Sequence, residues 1–298
     1  MKTPPFLKPE DTIGIVSTAR KITKHELQPF LSMLGEWGLL FELGISIEAE
    51  ADQFAGNDTV RTKDFQQMLD NPNIKAIWCA RGGYGTVRII DAIDFSEFRK
   101  NPKWIIGYSD ITVFHSHLHN FQIETLHANM AMEIDVKTEA TRTSIRRVLF
   151  GESYEINYPA KGTLNRNGTT HGQLIGGNLS LLYSLCGSPS KIDTSGKILF
   201  IEDLDEYLYH VDRMLQNLKR NGLFENLAGL VVGGMSDMRD NTIPFGKTAE
   251  EIVKETVSNY RYPVCFHFPA GHIKDNRALI LGREIHLDVQ EDVIKLQF

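Results

Sequence analysis

Hydrophobic and polar residues follow two different periods along this chain. Short apolar runs, such as Thr12–Ser17 and Lys75–Ala80, predict buried β-strands. Between them lie stretches in which apolar residues recur at helical spacing, such as His25–Trp37 and Asn57–Leu69. Strands that are apolar on both faces and alternate with helices predict a parallel sheet that is covered on both sides.

Four further elements complete the prediction for the first half. Asn57 or Asp58 is expected to cap its helix, and Pro29 must lie near the first turn of its helix or kink it. The further elements are the strands Leu39–Ile45, Trp104–Ile106 and Ile123–His127 and the helix Thr86–Ile93.

The second half of the chain is predicted to be mixed α/β. It contains the strands Lys197–Ile201, Ala228–Val232 and Val264–Phe268 and the helices Tyr207–Leu218 and Thr248–Val257. Its end alternates apolar and polar residues, with turn residues near positions 282 and 290, which predicts an antiparallel β-meander. A polar stretch rich in Gly and Asn precedes this half. We therefore predict an N-terminal domain over residues 1–135, a crossover linker over 136–170 and a C-terminal domain over 171–298.

Composition excludes several classes of partner. Hydrophobic residues make up 42% of the 298 residues, which is typical of a globular protein with a core. The net charge of −6 argues against nucleic-acid binding. No signal peptide and no apolar run long enough for a bilayer is evident, so we expect a cytoplasmic protein without a membrane partner. Three cysteines without metal-ligand spacing suit a reducing compartment.

Candidate chemistry is concentrated where the predicted strands end. The stretch Trp104–His119 is predicted to run from a strand through a sharp turn into a helix, which would expose the hydroxyl of Ser109. Ser109 is equally well suited to capping that helix. Glu202 follows another apolar strand and His272 a third, so the three residue types of a hydrolase triad project from strand ends. The alternatives are that Glu202 caps a helix and that His272 is a solvated loop residue.

The loop Arg81–Gly85 is the second candidate. Glycines after a strand let the backbone approach a ligand, so the Gly83 amide could face the serine as half of an oxyanion hole, cradle a phosphate, or simply form a tight turn. The glycine spacing does not fit the dinucleotide fingerprint. Arg81 is a candidate for binding a substrate carboxylate, with a structural ion pair as the alternative.

Two further patterns in the sequence are weaker. His115, His117 and His119 form H-x-H-x-H, but only the first and last would share a helix face, so we predict no metal site. The segment 241–248 resembles a phosphate-binding loop but lacks the first glycine. No cofactor is expected.

Five motifs occur in order along the chain: ARGGYG (Ala80–Gly85), GYSDIT (Gly107–Thr112), GGNLSLL (Gly176–Leu182), LFIED with YHVDRML after it (Leu199–Leu215), and FPAGH (Phe268–His272). Together they resemble the LD-carboxypeptidases of serine peptidase family S66, a family that also includes the microcin C self-immunity peptidases. The resemblance runs from about Thr12 to Gly282. It implies a Rossmann-like N-terminal domain and a smaller C-terminal domain, with the site between them.

The resemblance also implies an activity and assigns residues to it. Family members remove a terminal D-amino acid, typically D-alanine from the murein tetrapeptide in cytoplasmic cell-wall recycling, and commonly form homodimers. Carried over by motif, the metal-free triad is Ser109, Glu202 and His272, and the oxyanion hole is the amides of Gly83 and Asp110. The small peptide substrate is expected to contact Arg81, Tyr84 and Asn178.

Two other functions remain open from the sequence. One is an immunity peptidase that acts on aminoacyl adenylate analogues. The other, from a different class, is a non-peptidase Rossmann-like protein that binds a nucleotide through its glycine loop.

Overall fold

The computed structural model describes residues 1–160, 162 and 164–298, and these form two β-sheets with helices packed against them. In the first sheet the spatial order of the strands is β11-β5-β4-β3-β1-β2. Its strands are parallel except for β11, which pairs antiparallel with β5. The strands are β1 (Thr12–Val16), β2 (Leu40–Leu43), β3 (Ile74–Cys79), β4 (Trp104–Gly107), β5 (Thr125–His127) and β11 (Leu279–Leu281).

Two helices of the first half begin within a residue of where the sequence predicts them. Asn57 caps α2 by accepting a hydrogen bond from the Val60 amide, and Thr23 and Glu26 form a capping box at the start of α1. Pro29 lies inside α1, one turn further along than expected, and the helix continues through it. The helices are α1 (Lys24–Glu36), α2 (Asp58–Asp70), α3 (Ser96–Lys100) and α4 (Thr112–His119).

Two predictions for the first half were wrong in detail. The predicted helix Thr86–Ile93 is instead a pair of short 3₁₀ turns, Thr86–Arg88 and Ile90–Ala92. The strand β2 was expected to be buried, but it is the edge strand of the sheet, and the side chain of Leu40 is 56% exposed. An edge strand has a neighbour on one side only, so its apolar pattern overstates its burial.

The second sheet is mixed, as the sequence predicts. Its spatial order is β10-β9-β8-β7-β12-β13-β6, with a parallel part from β10 to β7 and an antiparallel part from β7 to β6. The strands are β6 (Glu155–Pro159), β7 (Gly168–Asn178), β8 (Ile198–Leu204), β9 (Gly229–Ser236), β10 (Val264–Cys265), β12 (Glu284–Val289) and β13 (Val293–Gln297).

One strand of the predicted terminal meander has a different partner. β12 and β13 form an antiparallel hairpin, but the preceding strand β11 pairs with β5 of the first sheet. The apolar run Leu279–Leu281 is compatible with either sheet. The C-terminal part of the chain therefore contributes a strand to the N-terminal sheet.

Three helices, α6 to α8, pack against the second sheet, whereas the buried residues of α5 belong to an apolar cluster of the first sheet. One face of α7 is apolar and buried, with Val211, Met214, Leu215 and Leu218 in the core. No helix among the described residues is both long and apolar enough to cross a membrane. The helices are α5 (Glu139–Leu149), α6 (Leu179–Ser184), α7 (Leu208–Arg220) and α8 (Ala249–Thr256).

The predicted linker over residues 136–170 contains regular structure. The helix α5, the strand β6 and the first residues of β7 all fall within it. Two of its residues, 161 and 163, lie outside the described residues. The proposed domain boundaries therefore stay predictions.

Gly176 offers a test of the close packing between the paired strands β7 and β8. It has φ +122°, and a Cβ atom there would be driven onto the backbone carbonyl oxygen of its strand partner Phe200. We expect Gly176→Ala to lower the free energy of unfolding by at least about 3 kcal/mol, since both the backbone and its neighbour must move.

Gly187 is the matched control. It also has a positive φ, of +83°, but a Cβ atom there meets nothing within 4 Å. Gly187→Ala should therefore cost only about 1–2 kcal/mol for the left-handed backbone. Urea denaturation of both variants measures the difference, and equal losses would show that the contact with Phe200 is unimportant.

Candidate active site

Ser109 lies at the turn that joins β4 to α4. Its φ is +60°, a left-handed backbone conformation that is uncommon for any residue other than glycine. Gly107 makes the turn possible, because a Cβ atom there would lie 2.6 Å from Ile111 Cγ1. Residues held in such conformations cost about 1–3 kcal/mol and are concentrated at functional sites.

Buried hydrogen bonds of the His115 ring hold the Ser109 turn in place. The ring of His115 bonds through Nε2 to the Gly107 carbonyl oxygen at 2.9 Å and through Nδ1 to the Thr125 hydroxyl at 2.8 Å. His117 bonds instead to the Ser190 hydroxyl at 2.9 Å, and His119 is buried elsewhere on the helix. The three histidines thus have separate surroundings, and His115 supports the serine turn.

Glu202 and His272 form a buried, hydrogen-bonded pair. The distance from His272 Nδ1 to Glu202 Oε2 is 2.6 Å, and the same oxygen accepts a hydrogen bond from the His272 backbone amide at 3.1 Å. Glu202 is 0% exposed and lies within β8, and α7 begins only at Leu208. The alternative that Glu202 caps the following helix is therefore wrong.

Each member of this pair changes the acidity of the other. Burial alone would raise the pKa of Glu202, but the charge and hydrogen bond of His272 more than offset it, so the pKa lies below its ordinary value. Burial alone would lower the pKa of His272, but the charge and hydrogen bond of Glu202 raise it above the ordinary value. The carboxylate therefore stabilises an imidazolium at this position.

Glycine makes this close contact possible. A Cβ atom on Gly271 would lie 2.6 Å from Glu202 Oε2, and Gly271 has φ +104°. A Cβ atom on Gly233, in the neighbouring strand β9, would lie 3.2 Å from Glu202 Cβ. The carboxylate thus occupies space that two missing side chains leave free.

The serine turn and the histidine come from different sheets and meet at their common edge. The ring of Tyr108, the residue before Ser109, lies 4.7 Å from the ring of His272. Among the described residues no hydrogen bond joins Ser109 to His272. Catalytic hydrogen bonds are often long without substrate and shorten in the complex.

The glycine loop lies beside the serine. A Cβ atom on Gly82 would lie 3.7 Å from Ser109 Cβ, and Gly83 has φ +108°. The Asp110 amide belongs to the first turn of a short 3₁₀ helix, where backbone N–H groups have no partner within the helix. The Asp110 side chain accepts a hydrogen bond from the Thr86 amide at 2.8 Å, which ties the serine turn to the end of the loop.

Comparison with known proteins decides the family. Residues 13–128 match the model of the LD-carboxypeptidase N-terminal domain, and residues 171–287 match that of the LD-carboxypeptidase C-terminal domain. The chain belongs to the LD-carboxypeptidase family, peptidase family S66. It is thus an enzyme of the serine-type LD-carboxypeptidase class, as the motifs predict, and this membership disfavours the nucleotide-binding alternative.

Individual relatives agree with this membership. A probable murein peptide carboxypeptidase of Bacillus subtilis is 35% identical over 97% of this chain and 92% of its own length. The murein tetrapeptide carboxypeptidase of Pseudomonas aeruginosa is 27% identical over 93% and 92%. The crystal structure of a muramoyltetrapeptide carboxypeptidase from Oxalobacter formigenes superposes with a TM-score of 0.88 at 27% identity and covers 96% of this chain and 97% of that one.

The microcin branch of the LD-carboxypeptidase family shares the fold. The microcin C7 self-immunity protein MccF of Escherichia coli is 24% identical over 96% of this chain and 93% of its own length. A structure of MccF in complex with aspartyl sulfamoyl adenosine superposes with a TM-score of 0.86 at 21% identity, covering 98% of this chain and 97% of that one. At this identity the structural match shows the fold alone.

Three residues of this LD-carboxypeptidase family member were predicted to contact substrate. The Arg81 guanidinium donates a hydrogen bond to the Lys21 carbonyl oxygen at 2.9 Å and lies 3.6 Å from Glu26, so it already has the structural pairing that was the alternative. Tyr84 is 47% exposed. Asn178 is buried, and its amide bonds to Glu202.

Sequence reasoning gave no role to two other buried polar residues at the site. Asp203 lies next to Glu202 and shares the hydrogen bonds of Asn178. His127 is fully buried at the end of β5, its ring nitrogens have no partner among the described residues, and its ring lies 5.0 Å from Phe200. Burial lowers the pKa of His127 to about 4, so the ring is neutral. The only signal for these residues was their position at strand ends.

The Glu202–His272 pair predicts a measurable change in acidity. We expect Glu202→Gln to lower the pKa of His272, because the carboxylate that raises it is replaced by a neutral group of similar shape while the burial that lowers it remains. Titration of the His272 ring by NMR measures this change directly. Glu225→Gln, at an exposed position, is the control and should leave the titration unchanged. An unaltered His272 titration in Glu202→Gln would contradict the coupling.

Proposed function

We propose that this enzyme hydrolyses the amide bond between an L-centre residue and a terminal D-amino acid, releasing D-alanine from the murein tetrapeptide. Ser109 is the nucleophile, His272 the general base and Glu202 the residue that orients the histidine. The observation that carries the proposal is the buried Glu202–His272 pair beside a serine with φ +60°. Membership of the LD-carboxypeptidase family supplies the reaction class.

The geometry of the pair assigns the two ring nitrogens. His272 Nδ1 donates to Glu202, which leaves Nε2 to accept the proton of the Ser109 hydroxyl. The serine oxygen attacks the carbonyl carbon of the scissile amide and forms a tetrahedral intermediate. Glu202 keeps the ring in the required tautomer and stabilises the imidazolium that forms.

We assign the oxyanion hole to the amides of Gly83 and Asp110. Both belong to loops at the serine: Asp110 follows Ser109 directly, and Gly83 adjoins Gly82, which packs near the serine Cβ. One donor of this kind contributes about 3–4 kcal/mol to stabilisation of the transition state. The strained turn therefore places both the nucleophile and one donor.

The reaction is completed by proton return and hydrolysis. The imidazolium of His272 gives its proton to the amine of the leaving D-alanine as the carbon–nitrogen bond breaks. Water, deprotonated by the same ring, then attacks the acyl-enzyme ester, and Ser109 recovers its proton. No redox step and no metal is required by this sequence of proton transfers.

A carboxypeptidase must also bind a free carboxylate, and we propose that the glycine loop provides this contact. Arg81 and Tyr84 flank the glycines of that loop. The guanidinium of Arg81 has further N–H donors besides the one that Lys21 accepts, so it keeps the capacity to bind an anion. Asn178 is less suited to direct substrate contact, because its side-chain amide is used by the two neighbouring carboxylates.

Three broader expectations accompany this proposal and stay predictions. They are a cytoplasmic location, a homodimer, and the division of the chain into domains at residues 1–135 and 171–298.

Removal of the nucleophile is the direct test. We expect Ser109→Ala to abolish release of D-alanine from a murein tetrapeptide and to abolish labelling by a fluorophosphonate, while the circular dichroism spectrum stays that of the folded protein. Loss of the attacking oxygen leaves no route to the acyl-enzyme.

Ser116 provides the control on the same helix. Its hydroxyl is buried without a hydrogen-bond partner among the described residues, so replacement by alanine removes no bond. Ser116→Ala should keep both activity and labelling. Retained D-alanine release in Ser109→Ala would overturn the assignment of the nucleophile.

A comparison of two substrates separates the two substrate classes in the family. We expect kcat/KM for a murein tetrapeptide to exceed that for aspartyl sulfamoyl adenosine by at least about 100-fold, a difference of about 2.7 kcal/mol in transition-state binding. The reason is that the more similar relatives are murein carboxypeptidases. Release of D-alanine and of the sulfamoyl nucleoside would be followed by chromatography. The opposite ratio would assign the chain to the immunity type.

A further inference from the structure

We propose that Asp203 is a positioning residue for the Glu202–His272 pair and that it acts through the side-chain amide of Asn178. This inference rests on the proposed function, in which that pair is the general base. Asp203 is 1% exposed, next to Glu202 in β8. Burying a second carboxylate next to Glu202 costs folding free energy. Its presence there therefore calls for a role in the site.

Every hydrogen-bonding neighbour of Asp203 is an N–H donor. Its Oδ1 accepts from Asn178 Nδ2 at 2.9 Å and from the Leu204 amide at 2.9 Å. Its Oδ2 accepts from the Ser180 amide at 2.9 Å. The surroundings are thus arranged for a carboxylate that accepts with both oxygens.

The side chain of Asn178 connects Asp203 to Glu202. Its Nδ2 also donates to Glu202 Oε1 at 3.3 Å, so a single amide group bridges the two carboxylates. Its Oδ1 accepts from the Ser180 hydroxyl at 2.7 Å and from the Leu181 amide at 3.2 Å, which fixes which end of the amide faces the carboxylates. Glu202 is therefore held at Oε1 by Asn178 and at Oε2 by His272.

A local irregularity of the strand brings both carboxylates to the same amide. Successive side chains of a regular strand point to opposite faces, so Glu202 and Asp203 should diverge. The register between β8 and β9 shifts between Ile201 and Asp203, as it does at a β-bulge. Bulges often occur next to active sites, where they redirect one side chain. Here the shift lets Asp203 reach Asn178.

The charge of Asp203 also acts on His272. The titratable groups that face His272 are Glu202 and Asp203 from β8, Lys137 from the segment before α5, His127 from β5, and Tyr108 from the serine turn. The two carboxylates favour the imidazolium, whereas Lys137 opposes it.

The ionisation of Asp203 depends on its own neighbours. Burial raises the pKa of Asp203 to about 7, and the charges of Glu202 and Glu206 act in the same direction. The negative charge is present above that pH, and there it adds to the effect of Glu202 on the ring. Removing it must lower the pKa of His272.

The test is Asp203→Asn, with Asp205→Asn as the matched control. Asp205 is two residues further along, and its side chain is about half exposed and paired with Arg239. In Asp203→Asn we expect the His272 ring to titrate about half a unit or more lower by NMR and kcat for the tetrapeptide to fall about tenfold with KM little changed. Asp205→Asn should change neither quantity. A folded Asp203→Asn protein with an unaltered His272 titration would overturn the proposal.

A second variant covers the case in which Asp203→Asn does not fold. Asn178→Ala removes the donor shared by the carboxylates, so it should lower kcat but shift the His272 titration upward, opposite to Asp203→Asn. When both single variants fold, the double variant should lose less kcat than the product of the two single losses, because part of the effect of Asp203 passes through that amide. Additive losses in kcat, or an unshifted ring in Asn178→Ala, would contradict the proposal.

The NMR titration needs no substrate, so it separates this proposal from the assigned reaction. If the wild-type protein releases no D-alanine but the ring titration shifts as expected, the proposed function fails and the coupling of Asp203 to His272 stands. If D-alanine is released and the titration does not shift, the proposed function stands and the coupling of Asp203 to His272 fails.

Discussion

The hydrogen bond between Glu202 and His272 is the interaction on which the site depends. It removes a carboxylate from water completely, at a desolvation cost of several kcal/mol, and only the opposite charge and the added hydrogen bonds offset that cost. The fold meets this requirement by omitting side chains, since Gly271 and Gly233 leave the space in which the carboxylate lies. The arrangement holds the His272 ring through Nδ1, 4.7 Å from the ring of Tyr108 in the serine turn.

Ser109, the proposed nucleophile, follows a strand of the other sheet, so the site also depends on how the sheets meet. Part of the contact there comes from the backbone of β7: the backbone N–H of Asn178 donates to the Thr112 hydroxyl at 3.0 Å, and Gly177 lets β7 approach α4 closely. The strand β11 adds a second connection, because it comes from the C-terminal part of the chain and pairs with β5. Ser109 and His272 are therefore held in place by the packed interface between the two sheets rather than by a flexible linker.

Much of this could be predicted from the sequence, because strands, caps and strand ends leave local patterns. The turn at Ser109 and the cap at Asn57 are examples. What could not be predicted depends on the partner of a strand rather than on the strand itself. The role proposed for Asp203 depends on the register shift between β8 and β9. The placement of β11 depends on which of two sheets the strand joins. The exposure of Leu40 follows from the position of β2 at the edge of its sheet.

Three costly features of the molecule lie at the interface between the two sheets. A serine with φ +60°, a fully buried glutamate and a second buried carboxylate all lie along this interface, whereas the apolar clusters on either side contain none of them. Each feature is tolerated because the surrounding packing determines its geometry. The apolar clusters that cover both sheets therefore hold these strained and buried polar groups in a fixed geometry.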